Sequence, residues 1–211
     1  MLIPLLMATG GVAVFLAWRL VALGRMSIWP ALTPVMAAAG IVSVATGTLA
    51  LSANVAVGLA AVAGLGAGVL LYLATAAFVL IVRRWHVFDR HVAEIYDQRR
   101  GLSLGLALLL AAAVNATGEE LFWRGLWQSR LAVTIGWPAG ALVTWAAYIL
   151  ANMASASLPI IAGAVVGGLV WGALALWTHG VLAPLLCHAL WTALMLAFPP
   201  GGPGSLGRRG G

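Results

Sequence analysis

NATGEELFWRGLW, residues 115–127, follows directly on the apolar run LSLGLALLLAAAV, residues 102–114. Two adjacent carboxylates, Glu119 and Glu120, and the guanidinium of Arg124 thus end a segment suited to lipid, in a chain only 8% charged. An ionisable group in a membrane span is costly, about 2.5–3.5 kcal/mol for a central Asp on insertion scales. Such groups face a bundle interior or a wet cavity. Reading this stretch as a spanning helix therefore commits the fold to a helical bundle with something polar inside it.

Composition agrees. The chain has 211 residues, 63% of them hydrophobic, and its mean hydropathy is +1.05. A soluble domain is about 45–50% apolar and about 25% charged. The apolar runs are long and repeated, which predicts an all-α, polytopic integral membrane bundle of about seven transmembrane helices. All 11 basic residues are arginine, against 5 acids: Asp89, Glu94, Asp97, Glu119 and Glu120. The resulting net charge of +6 fits basic loops at a membrane face. No basic patch is interleaved with exposed aromatics, so no nucleic-acid partner is expected. The single cysteine, Cys187, excludes an internal disulfide and reads as a small packing residue.

Working outward from the Glu pair, the expected spans are roughly 2–23, 31–51, 55–82, 101 into the Glu pair, 138–155, 158–177 and 181–198. Gly64 and Gly68, and then Gly163, Gly167, Gly168 and Gly172, have the small-residue spacing that lets helices approach closely in lipid. Residues 83–100, RRWHVFDRHVAEIYDQRR, read as an amphipathic interfacial helix or structured loop, with His86 and His91 as solvated histidines. The positive-inside rule makes this segment cytoplasmic, and with it Arg25 and the Arg208–Arg209 tail, leaving the N-terminus outside. Three regions result: an N-terminal three-helix membrane region with its arginine-rich loop (1–100), a core (101–198) and a flexible tail (199–211).

Within the core, Glu120 and Arg124 are four apart and can pair on one helix face. Glu119 points about 100° away and is left free to act on water as a general base. If the helix from Gly101 is unbroken, Glu119 falls about 27 Å along it, near the outer face. A helix running on to about Ala132 brings it deeper. Polar partners come from later spans: Tyr148 and Asn152, four apart in TWAAYILANMAS, and His188 in LLCHALWTALML. Glu119, Glu120, Arg124, Asn152 and His188, supported by Tyr148 and Thr192, supply a base, an ion pair and hydrogen-bond donors. Those are the requirements of water-mediated attack on an amide.

These motifs resemble a known family. EELFWR is similar to the EExxxR motif of the CPBP/ABI membrane proteases, the CAAX-protease or Rce1-like family. YILAN falls where that family has FxxxH, and GVLAPLLCHALW resembles its final HxxxN motif. The resemblance implies an intramembrane endopeptidase that cleaves a protein or peptide near its C-terminus, with the bilayer as its setting. It implies Glu119 as the water-activating base, Glu120 paired with Arg124, and His188 stabilising the oxyanion. Asn152 replaces the family's middle histidine and Thr192 its last asparagine; neither takes up a proton near neutral pH. No cofactor is expected, since one free Glu and one His fall short of the three protein ligands usual for catalytic zinc.

Three readings remain open from sequence. One is a membrane endopeptidase. Another is a catalytically weak or inactive relative serving as an immunity-like or scaffold protein. The third is a small transporter or channel that uses the Glu pair as a cation site. A cleavage site opening outward would suit processing of exported proteins.

Overall fold

A computed structural model describes residues 2–46, 49–82 and 84–200. The expected tail from residue 201 onward, with Arg208 and Arg209, lies outside the described residues, as does Arg83. Eight helices form among the described residues: α1 (Leu2–Ala22), α2 (Ile28–Ala45), α3 (Val57–Val82), α4 (His86–Asp97), α5 (Leu104–Ile135), α6 (Trp137–Met153), α7 (Leu158–Thr178) and α8 (Leu182–Ala197). Five of them, α1, α2, α3, α5 and α7, are long and apolar enough to cross a membrane. Helices α6 and α8, at 17 and 16 residues, are shorter and pack among these five. The protein is an integral membrane helical bundle.

The central element is α5, and it departs from expectation. It does not stop at the Glu pair but runs 32 residues to Ile135, where Gly136, at φ 83°, breaks it. Ser103 caps its start by accepting from the Leu106 N–H at 3.2 Å, satisfying one of the orphan donors of a first turn. Within it, Leu109–Ala116 and Leu121–Gln128 are π-helical, flanking a four-residue α-helical piece, Thr117–Glu120. Widened turns of this kind are rare and occur mostly at functional sites. Phe122, Trp123, Arg124, Gly125 and Leu126 are all buried in succession, so this part of α5 is surrounded by protein. Glu119 therefore sits midway along a helix longer than the ~30 Å lipid core, rather than near its end.

The second expected span, 31–51, also differs. Helix α2 ends at Ala45, and residues 50–54 instead lie along the turn between α7 and α8. The Ala53 and Asn54 N–H groups donate to the Thr178 carbonyl, and those of Val181 and Leu182 donate to Ala50 and Leu51, all at 3.0 Å. Backbone partners across the fold outweigh the helical tendency of this apolar stretch, because unpaired backbone groups are not tolerated in lipid. His179, at φ 48°, makes the turn and stacks on Trp137 with ring centroids 4.1 Å apart.

At the opposite end, α4 is the amphipathic helix that its sequence predicts, and it ties down three helix ends. The Ile28 N–H donates to Gln98 Oε1 and Trp29 Nε1 donates to the Gln98 carbonyl. His91 is not simply solvated: its Nδ1 accepts from the Leu158 N–H at 3.2 Å, capping the start of α7. Tyr96 Oη and Arg99 Nη1 donate to the Met195 and Leu196 carbonyls at 3.0 and 2.8 Å, capping the end of α8. Burial pushes the Tyr96 phenol up to about 12, so it stays a protonated donor at any physiological pH.

Glycines set the tightest packing. A Cβ on Gly64 would come within 2.5 Å of the Ala183 carbonyl oxygen, and one on Gly68 within 2.9 Å of that of Cys187. Helices α3 and α8 therefore meet backbone to backbone, with Cys187 buried between them. Gly64→Leu is expected to lower stability by about 1–3 kcal/mol through overpacking. Gly66→Leu, which faces open space, should stay within about 0.5 kcal/mol of the wild type. Thermal unfolding of both variants in one detergent makes the comparison.

Candidate active site

A cavity of about 490 Å³ lies between α3, α4, α5, α6, α7 and α8. Its inner end holds Glu119, Asn115, Tyr148, Asn152, His188 and Thr192. From there it extends to Phe88, Ile95, Tyr96 and Arg99 at the α4 end, not toward the α7–α8 turn.

The two glutamates are held differently. Glu120 is fully buried, and its Oε1 receives Arg124 Nη1 at 3.2 Å and meets His188 Nδ1 at 2.8 Å. With a carboxylate at Nδ1, that nitrogen acts as a donor, which leaves the Nε2 edge of His188 for the cavity that it lines. Trp171 stacks on the His188 ring, centroids 3.6 Å apart and planes 15° apart, and fixes its plane. The Arg124 guanidinium lies 4.8 Å from the centre of the Tyr148 ring and 5.5 Å from that of Trp171. Its Nη2 donates to the Gly168 carbonyl at 3.1 Å. Gln128, one further turn along, donates in the same way to Gly172 at 3.0 Å. The glycines of α7 therefore do more than admit a neighbouring helix; they expose carbonyls that polar side chains of α5 need.

Glu119 is only partly buried and is not without a partner. Tyr148 Oη donates to its Oε2 at 2.8 Å, so one carboxylate oxygen is anchored and Oε1 is left toward the cavity. Asn152 lines the cavity beside it, its Nδ2 donating to the Tyr148 carbonyl one turn back at 2.9 Å. The side chains singled out in the sequence, Glu119, Glu120, Arg124, Tyr148, Asn152 and His188, form one connected cluster, and Thr192 lines the same cavity. His179 does not join them; it is at the far end, on Trp137.

Sequence reasoning missed Asn115 and Trp171. Asn115 Oδ1 is buried with no partner among the described residues, as is Glu120 Oε2. Buried polar atoms are nearly always bonded, so Asn115, which lines the cavity, offers an acceptor to a donor from substrate or water. The argument applied to Asn152, an amide in lipid, would have found Asn115; nothing in the sequence marks Trp171 among 10 tryptophans.

Among the described residues no group of three or more His, Cys, Asp or Glu side chains assembles as a metal site. The donor set does not suit a catalytic zinc. Glu120 is already engaged by a guanidinium and an imidazole, and Asn152 offers only an amide.

A polar cluster of this make-up, on three helices of a membrane bundle, is the setting in which the family comparison becomes informative. Residues 101–194 match the family model of the Rce1-like type II CAAX prenyl endopeptidases. The Rce1-like segment is a little under half of the chain and contains every side chain of the cluster. It begins after α4, so α4 and Arg99, at the cavity's other end, lie outside it. No curated protein and no solved structure matches the chain.

Proposed function

We propose that this protein is an intramembrane endopeptidase in which Glu119 activates the attacking water. One observation carries the reading: inside an Rce1-like segment, a cavity-facing carboxylate anchored by Tyr148 adjoins the buried Arg124–Glu120–His188 relay. Glu119 Oε1 takes a proton from water as the oxygen bonds to the scissile carbonyl carbon. His188 acts here as the imidazolium, with Nδ1–H held by Glu120 and Nε2–H donated to the oxyanion. As the tetrahedral species collapses and the C–N bond breaks, Glu119 passes its proton to the departing amine. Arg124 keeps the net charge of the buried pair near zero, which is what allows Glu120 to remain an acceptor. The apolar lining of the cavity suits a hydrophobic, membrane-associated substrate segment, and the arginines in and around α4 favour a cytoplasmic position for that end.

The chemistry assigned to these side chains needs no metal, so cleavage is expected to persist in EDTA. Loss of cleavage in EDTA with recovery on adding zinc would show that the site recruits ligands the present geometry does not supply.

Asn152 supports a second reading. Its amide is tied to its own helix and takes up no proton, which fits a relative that binds peptides without cutting them. Mass spectrometry of membranes from cells carrying either the wild type or Glu119→Gln, at equal protein levels, separates the two. C-terminal or juxtamembrane cleavage products found only with the wild type support the peptidase. Identical profiles give the second reading the lead.

A further inference from the structure

Glu119 and Arg99 are the formally charged side chains, histidine aside, among the described residues that line the cavity. The acids nearest to Arg99 in sequence are engaged elsewhere: Glu94 with Arg90 at 3.9 Å and Asp97 with Arg100 at 2.5 Å. Its Nη1 is fixed by the Leu196 carbonyl at 2.8 Å, and no carboxylate of the chain meets the remaining N–H groups among the described residues. An arginine held by one nitrogen, unpaired, in a mostly apolar enclosure is preorganised for a carboxylate. The low polarity of the surroundings strengthens such a contact.

The spacing fits a peptide. Leu196 lies eight residues beyond His188 on α8, about 12 Å at 1.5 Å per residue. An extended chain covers that distance in about three to four residues at roughly 3.3 Å each. A carboxylate at Arg99 and a peptide bond at Glu119 can therefore belong to one short segment. We infer that Arg99 binds the C-terminal carboxylate of the substrate, so that the cavity selects apolar peptides with a free C-terminus. This rests on the peptidase reading but concerns binding, and Arg99 lies outside the Rce1-like segment.

The test uses the full chain in nanodiscs of zwitterionic lipid, in a Glu119→Gln background so that no peptide is consumed. The probes are dansyl-Ala-Val-Leu-Leu as the free acid, the same peptide as its C-terminal amide, and an amide ending in aspartate, each read by fluorescence anisotropy. The free acid should bind about tenfold more tightly than its amide, the difference one charge-assisted hydrogen bond makes. In Arg99→Gln the preference should vanish while the amide binds as before. Arg99→Lys, which keeps the charge and a donor for Leu196, should retain most of it. Equal binding of acid and amide overturns the inference, as does an acid preference that survives Arg99→Gln. Equal binding of the free acid and the aspartate amide would also overturn it, because a side-chain carboxylate would then suffice. None of these results depends on turnover, so failure here leaves the peptidase reading to its own test.

Discussion

Glu119→Gln is expected to reduce kcat by about 10²–10⁴-fold, the range a positioned general base contributes, with KM and thermal stability little changed. Glutamine keeps the volume of the side chain and can still accept the hydrogen bond from Tyr148 that anchors Oε2. What it cannot do is take a proton from water. Because Glu119 is only partly buried and sits apart from the Arg124 pair, neutralising it leaves no uncompensated charge behind. The decisive measurement is single-turnover cleavage of an identified substrate in proteoliposomes, alongside a melting curve. A variant that cleaves at the wild-type rate removes Glu119 from the chemistry altogether.

Glu120 should behave in the opposite way. Its side chain and that of Arg124 are 0% and 1% exposed, and the same oxygen serves Arg124 and His188. Glu120→Ala strands the guanidinium among Tyr148, Trp171 and the Gly168 carbonyl. Breaking such a buried pair from one side costs about 3–5 kcal/mol. Replacing both partners, as in Glu120→Leu with Arg124→Met, should recover most of that stability, because it removes both desolvated charges together. Activity should not return, since His188 then has no carboxylate to orient its ring. Chemical or thermal denaturation of the single and double variants, with cleavage measured on each, distinguishes a positioning pair from one needed only for folding. Equal stability of the single variant and the wild type would mean that Arg124 finds other compensation.

The same residues show what a sequence can and cannot carry. The polytopic bundle is legible because apolar runs long enough to span are a local property. The Glu120–Arg124 contact is legible because spacing of four survives even where the helix changes type. The π-helical turns are not legible: a widened turn is decided by what packs around Phe122 to Leu126, and the sequence there still looks like ordinary helix. The Trp171–His188 stack depends on how α7 and α8 cross. The role of α4 is half legible. Its amphipathic pattern is plain, but that Gln98, Tyr96 and His91 cap three other helices follows from where the bundle's ends happen to lie. Ala50 and Leu51 are expected at the end of a helix, because hydrophobicity alone does not reveal that their carbonyls accept from Val181 and Leu182, far along the chain.

That distant pairing also has a consequence for the order in which the molecule is completed. Among the described helices the one bearing His188 comes after all the others in chain order, and the backbone at its beginning is held by a segment made much earlier. Until α8 emerges, Ala50 and Leu51 lack the N–H groups that occupy their carbonyls in the finished fold. Contacts so far apart in sequence form late, because the intervening chain must first be ordered. The cluster around Glu119 is therefore incomplete until α8 docks against the helices made before it. Glu120 and Arg124 thus wait for their imidazole partner until α8 is in place.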